Sequence, residues 1–105
     1  MNLFRLPVNL PQAEWMEVLE ARVGCRIERI ISTGQASPAG FWYDQSEDEW
    51  VAVLQGSAAL EWADGKVQEL ATGDCLLIPA GKKHRVARTS AEPACIWLTV
   101  FMPAE

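Results

Sequence analysis

From residue 25 onward the chain breaks into short runs at close, regular intervals: CRIERIIS, WVAVLQG, AALEW, KVQEL, CLLIP, HRVART and CIWLTVF, with turn-forming residues between most of them. Runs of this length, rich in β-branched and aromatic residues, read as strands. Their even spacing favours a sandwich or barrel over a βαβ fold, which needs helical stretches between its strands. Asp64-Gly65, between AALEW and KVQEL, is a hairpin signal because both residues tolerate the positive φ of a tight turn. Thr72-Gly73-Asp74 marks a second reversal.

One helix is expected ahead of the strands. Asn9 stands three residues before Gln12, and Pro11 falls in the first turn. Trp15, Met16, Val18 and Leu19 then recur at helical spacing up to Val23-Gly24, which predicts an amphipathic helix over 10–22. No repeat, linker or low-complexity tract interrupts the 105 residues, so a single domain is expected over 1–105, its barrel over 25–101.

Composition narrows the partners. The net charge of −5 argues against nucleic acid, whose phosphates need a stripe of cations. No apolar run approaches a membrane span, and MNLFRLPVNLPQ has neither the apolar core nor the cleavage site of a signal peptide, so a cytoplasmic protein without membrane contact is expected. Cys25, Cys75 and Cys95 are widely spaced and form no C-x-x-C pair, which predicts reduced and mostly buried thiols rather than a disulfide framework or a thiolate zinc site. The basic residues do gather once: Lys82, Lys83, Arg85 and Arg88 surround His84, the only histidine.

Two stretches carry a family resemblance. GDCLLIPAGKKH places Gly73, five residues, Pro79, one residue, Gly81, two residues and His84, and so resembles the second motif of the cupins, small antiparallel β-barrels of the jelly-roll type. That motif's closing Asn falls on Arg88. The end of the first motif is matched by Glu49, six residues and Gly56, but its two histidines are absent. Counting back three residues from Glu49 puts Tyr43 and Gln45 in their places; counting back four puts Trp42 and Asp44 there. The resemblance spans roughly residues 38 to 101 and implies an all-β cupin barrel, here preceded by the short N-terminal helix.

It also implies a site. In cupins the two histidines and glutamate of the first motif and the histidine of the second hold one divalent metal, the basis of oxygenase and isomerase activities. Carried over by position, this chain offers Tyr43, Gln45, Glu49 and His84. A phenol ligand must lose a proton whose ordinary pKa is about 10, and an amide is a neutral donor. Glu49 and His84 are thus the two good metal ligands, with Gln45, or Asp44 by a loop shift, completing a set for Mn, Fe, Zn or Ni. The metal-free alternative is a satisfied polar network of Tyr43, Gln45, Glu49 and His84, with Glu49 and His84 as base and acid.

Trp42, Tyr43 and Gln45 are candidate ligand contacts, and the ligand is expected to be a small polar or anionic molecule. Glu47 and Asp48 read as a solvated loop ahead of Glu49, and Lys82 and Lys83 as solvated residues or a lure for anions at the barrel mouth. Three functional classes stand side by side: a metal-dependent or metal-free enzyme, a binding or sensing module, and a structural homodimer. The alternating Ile96, Leu98 and Val100 of the last strand would supply the dimer face.

Overall fold

The computed structural model describes residues 1–105. Eight strands form two sheets: β1 (Trp15–Arg22), β2 (Cys25–Ser32), β3 (Glu47–Gln55), β4 (Ala58–Trp62), β5 (Val67–Leu70), β6 (Cys75–Ile78), β7 (His84–Thr89) and β8 (Cys95–Pro103). The larger sheet runs β1-β2-β8-β3-β6 and the smaller β5-β4-β7. Every pairing is antiparallel.

The strand alternation of the sequence becomes the core directly. Val51, Val53, Leu60, Trp62, Ile78 and Trp97 turn towards one another between the sheets and are almost fully buried. The long strands β3 and β8 pair along most of their length, so each contributes every second residue to this interior. Gly56 lets the chain turn from β3 into β4 with φ +80; a Cβ there would lie 2.4 Å from Ser90 Oγ and 3.0 Å from backbone of Ala94 and Cys95. The Asp64-Gly65 hairpin closes as expected, with the Trp62 N–H donating to Lys66 O at 2.9 Å.

The expected helix over 10–22 is not formed: Trp15–Arg22 is an edge strand, hairpinned to β2 through Val23-Gly24. Within Trp15 to Leu19 the half-buried residues Trp15, Glu17 and Leu19 alternate with exposed Met16 and Val18, a period of two hidden inside a pattern that also fits a helix. A short isolated helix gains little without a packing partner, whereas a strand here saturates the free edge of β2. Ahead of β1 the N-terminal segment is pinned by Arg29. That guanidinium, on a residue 4% exposed, donates to the carbonyls of Leu3 at 3.1 Å and Arg5 at 2.7 Å and pairs with Glu17.

Three smaller expectations also change. Glu47 and Asp48 are half-buried strand residues rather than a solvated loop: Glu47 lies 3.7 Å from the Arg26 guanidinium, and Asp48 accepts the Ala80 N–H at 2.8 Å. Of the free thiols only Cys95 is buried, its pKa pushed up to about 12 mainly by that burial, while Cys75 is exposed. Ile96 is fully buried and leaves the expected dimer strip, in which Leu98 and Val100 remain half-buried.

Candidate functional site

Main-chain bonds bring the two motif segments together. Tyr43 and His84 exchange both backbone bonds, Tyr43 N–H to His84 O at 2.7 Å and His84 N–H to Tyr43 O at 3.2 Å, and the Gly81 N–H donates to Gln45 O at 2.8 Å. Asp48 caps the Pro79-Ala80-Gly81 turn that leads into β7. The loop before β3 is thereby stitched to the start of β7, and β3 and β7 face each other from opposite sheets.

Between them lies a cavity of about 70 Å³. Its apolar wall includes Ile30, Val51, Leu60, Ile78, Trp97 and Phe101, and its polar groups are Glu14, Tyr43, Gln45, Glu49 and His84. The sequence candidates divide accordingly. Tyr43, Gln45, Glu49 and His84 line one space, as the three-residue count from Glu49 places them, whereas Asp44 is exposed and Trp42 lines no part of it. Arg85 points the other way, to Glu61 at 2.9 Å, and Arg88 is exposed beside Glu69. Lys82 and Lys83 are exposed, the Lys82 ammonium resting 4.1 Å from the centre of the Trp62 ring.

The centre of the cavity is an acid–base pair. Glu49 is 9% exposed and His84 is 4% exposed, and His84 Nε2 lies 3.7 Å from Glu49 Oε1. That is an ion-pair distance, too long for a direct hydrogen bond. His84 Nδ1 sits 2.9 Å from Lys82 O, a group that can only accept, so Nδ1 carries a proton and Nε2 is the atom presented to Glu49. Burial is the largest influence on the imidazole and opposes its protonation; the Glu49 carboxylate and the Lys82 carbonyl together outweigh it, and the pKa is raised. The Tyr43 ring stacks on His84 with centroids 5.3 Å apart. Its hydroxyl is held above the ordinary phenol range by burial first, then by the charges of Glu14 and Glu49, so at neutral pH it is a hydrogen-bond donor.

Glu14 is the residue sequence reasoning missed. Ser32, fully buried, donates to Glu14 Oε2 at 2.8 Å and accepts the Trp97 indole N–H at 3.1 Å, so a chain from the core fixes this carboxylate at the cavity. Reading 10–22 as a helix hid it; the strand register that puts Met16 opposite Ile30, both on the cavity wall, was the available signal.

These residues do not fit the cupin metal. No three His, Cys, Asp or Glu side chains converge on one point, Tyr43 holds its proton, and Asp44 is outside the cavity. Glu14, the second carboxylate of the cavity, does not close on Glu49 and His84, which leaves two strong ligands where a resident transition metal takes about three or four.

The barrel and the stitched motifs agree with comparison to known proteins. The cupin domain family model matches residues 30–101, and the chain belongs to the cupin family. Among solved structures, a Ralstonia eutropha JMP134 protein provisionally assigned as a mannose-6-phosphate isomerase is 47% identical, with a TM-score of 0.91 over 99% of this chain and 97% of that one. A cupin superfamily protein from Desulfitobacterium hafniense DCB-2 shares the fold at 18% identity and TM-score 0.76, over 90% and 82% of the two chains. An RmlC-like cupin from Shewanella frigidimarina does so at 17% identity and TM-score 0.72, over 92% and 82%. No curated protein matches the chain. No helix is long and apolar enough to cross a membrane.

Proposed function

We propose that this cupin binds a small, hydrogen-bond-donating molecule in its cavity and moves a proton on it without a metal, Glu49 taking the proton and His84 Nε2 returning one. The observation that carries the reading is the Glu49 carboxylate, nine-tenths buried, with no hydrogen-bond partner in the protein and an imidazole 3.7 Å away. The polar atoms fully enclosed without a partner lie elsewhere, at Trp15 Nε1, Arg85 Nε and Thr99 Oγ1, so the Glu49 oxygens stand open to the cavity, where an entering molecule can reach them. A buried carboxylate beside an imidazole of raised pKa is also an arrangement suited to general acid–base chemistry near neutral pH.

Isomerisation is the reaction class that suits the pair. Shifting a carbonyl between neighbouring carbons requires a base to take a proton from one carbon and return it to the next, while an acid protonates the carbonyl oxygen and takes back the proton of the neighbouring hydroxyl; Tyr43 and Gln45 supply a phenol and an amide to orient the oxygens. The provisional isomerase assignment of the Ralstonia relative lends the same direction. Three unpaired cysteines, one of them exposed, suit a reducing, cytoplasmic setting.

The test is solvent exchange. Small aldoses, ketoses and hydroxyketones, and amino-substituted counterparts such as aminoacetone, are incubated with protein in D₂O, and loss of the C–H signal adjacent to the carbonyl is followed by proton NMR. Wild type exchanges at least one of them, and Glu49→Gln slows that exchange by about 100-fold or more. Equal rates in the two proteins would remove Glu49 from the chemistry. Binding without exchange would favour the second reading, a binding or sensing module, to which the small volume of the cavity also points.

A further inference from the structure

We infer that the molecule this pocket takes carries a positively charged nitrogen, seated against Glu49 within the field of Glu14, and that phosphorylated ligands are excluded. This rests on the reading of the cavity as a ligand site and narrows its occupant.

The charge balance of the lining is one-sided. Glu14 and Glu49 both face the cavity, and no lysine or arginine does. Lys83 is exposed outside the cavity, and three other nearby cations are committed elsewhere. Arg26 donates to Glu28 at 2.5 Å and lies 4.2 Å from the centre of the Phe101 ring, Arg85 is paired outward with Glu61, and Lys82 lies over Trp62. A phosphate dianion would enter beside two carboxylates with only the His84 imidazolium, when protonated, as a counter-charge, whereas an ammonium meets a carboxylate that has no hydrogen bond within the protein. When the imidazole is neutral, Nε2 and the Glu49 oxygen are two acceptors 3.7 Å apart. A group that only donates suits this neutral pair, and an ammonium has three donors and no acceptor.

Size and shape divide the occupant in two. The inner cavity of about 70 Å³ is far below the roughly 300–1,000 Å³ of a site for a whole drug-sized ligand. It shares the walls Glu14, Tyr43 and Val86 with an outer groove of about 360 Å³ bordered by Ser37, Pro38 and Phe41. Phe41 and Tyr43 meet there edge to face, with centroids 4.8 Å apart. A small amine head fits inside, and a flat or apolar remainder fits outside against these rings.

Three matched probes test this on the intact protein: benzylamine, benzyl alcohol and benzyl phosphate, titrated while the NMR signals of the His84 and Tyr43 rings are followed. Benzylamine is expected to shift both rings and to bind about tenfold or more tighter than the alcohol, with no binding by the phosphate. Glu49→Gln should bring amine and alcohol to parity. Glu14→Gln, whose carboxylate is half-exposed and replaceable without loss of fold, should reduce the preference in part. Equal affinity of amine and alcohol in wild type, or tightest binding by the phosphate, overturns the inference and leaves the acid–base pocket standing. No movement of either ring with any probe overturns both.

Discussion

Replacing Glu49 by methionine should make the protein more stable. The side chain is nine-tenths buried, its carboxylate has no hydrogen bond, and its one charged neighbour, His84, is a partner only when protonated. An enclosed unsatisfied polar group costs about 1–3 kcal/mol; the Glu49 carboxylate, open to the cavity but stripped of most of its hydration, bears part of that, and methionine fills the same space with no polar atom. A gain of about 1 kcal/mol is expected on the alkaline side of the His84 titration, which corresponds to roughly 4–8 °C in Tm for a domain of this size. The sign reverses its trend with acid. Because the folded pKa of His84 is raised from its ordinary 6.5, its contribution is fully present below that value and is lost as pH rises through the folded one. Wild type therefore recovers part of its deficit on acidification. The methionine variant does not, having lost the carboxylate that raised the imidazole. Urea unfolding of both proteins between pH 5.5 and 8.5 measures this directly. A variant less stable than wild type at the alkaline end of this range would mean that Glu49 is satisfied within the fold, and would refute the reasoning.

Gly56→Ala should destabilise by about 1–2 kcal/mol for its left-handed backbone and by roughly another 1–3 for crowding Ser90 and the backbone at Ala94 and Cys95, while Gly65→Ala, with φ +88 and open space around it, carries only the first cost; equal losses in urea would refute the crowding. Elemental analysis of untagged protein should find no stoichiometric manganese, iron, zinc or nickel in wild type or in His84→Ala, and metal lost selectively in the variant would restore a cupin centre. Trp50 sits in register between Leu77 and Val100 on the outward face of the larger sheet, with Leu77 half exposed; a homodimer through this face is expected by light scattering at micromolar concentration, and Leu77→Lys should give a monomer. A wild-type monomer would refute it.

The barrel was legible because period-two runs and turn residues specify antiparallel strands with little ambiguity from β2 to β8. The failure lay at Trp15–Arg22, where Trp15, Met16, Val18 and Leu19 satisfy both periods. There the deciding term was tertiary, the unpaired edge of β2, which a local pattern does not contain. Tyr43, Gln45, Glu49 and His84 could be placed in one space from motif spacing, since each is tied to a turn or strand of fixed register. Glu14 could not, because its position depends on Ser32 and Trp97, remote in sequence. The charge balance of the cavity was legible in part: alternation along HRVART turns Arg85 away from an inward His84, while the exposure of Lys82 and Lys83 and the pairing of Arg88 with Glu69 are seen only in three dimensions.

The backbone rung between Tyr43 and His84 separates the architecture of the site from its chemistry. Peptide groups make those bonds, and every residue but proline has both of them, so the side chains at 43 and 45 are free to change while the histidine stays where it is. The barrel is in this respect a socket with exchangeable pins. Installing histidine at both positions, Tyr43→His with Gln45→His, should give the chain the cupin ligand set in a single step and turn a proton-handling pocket into a metal-binding one, with no strand obliged to move.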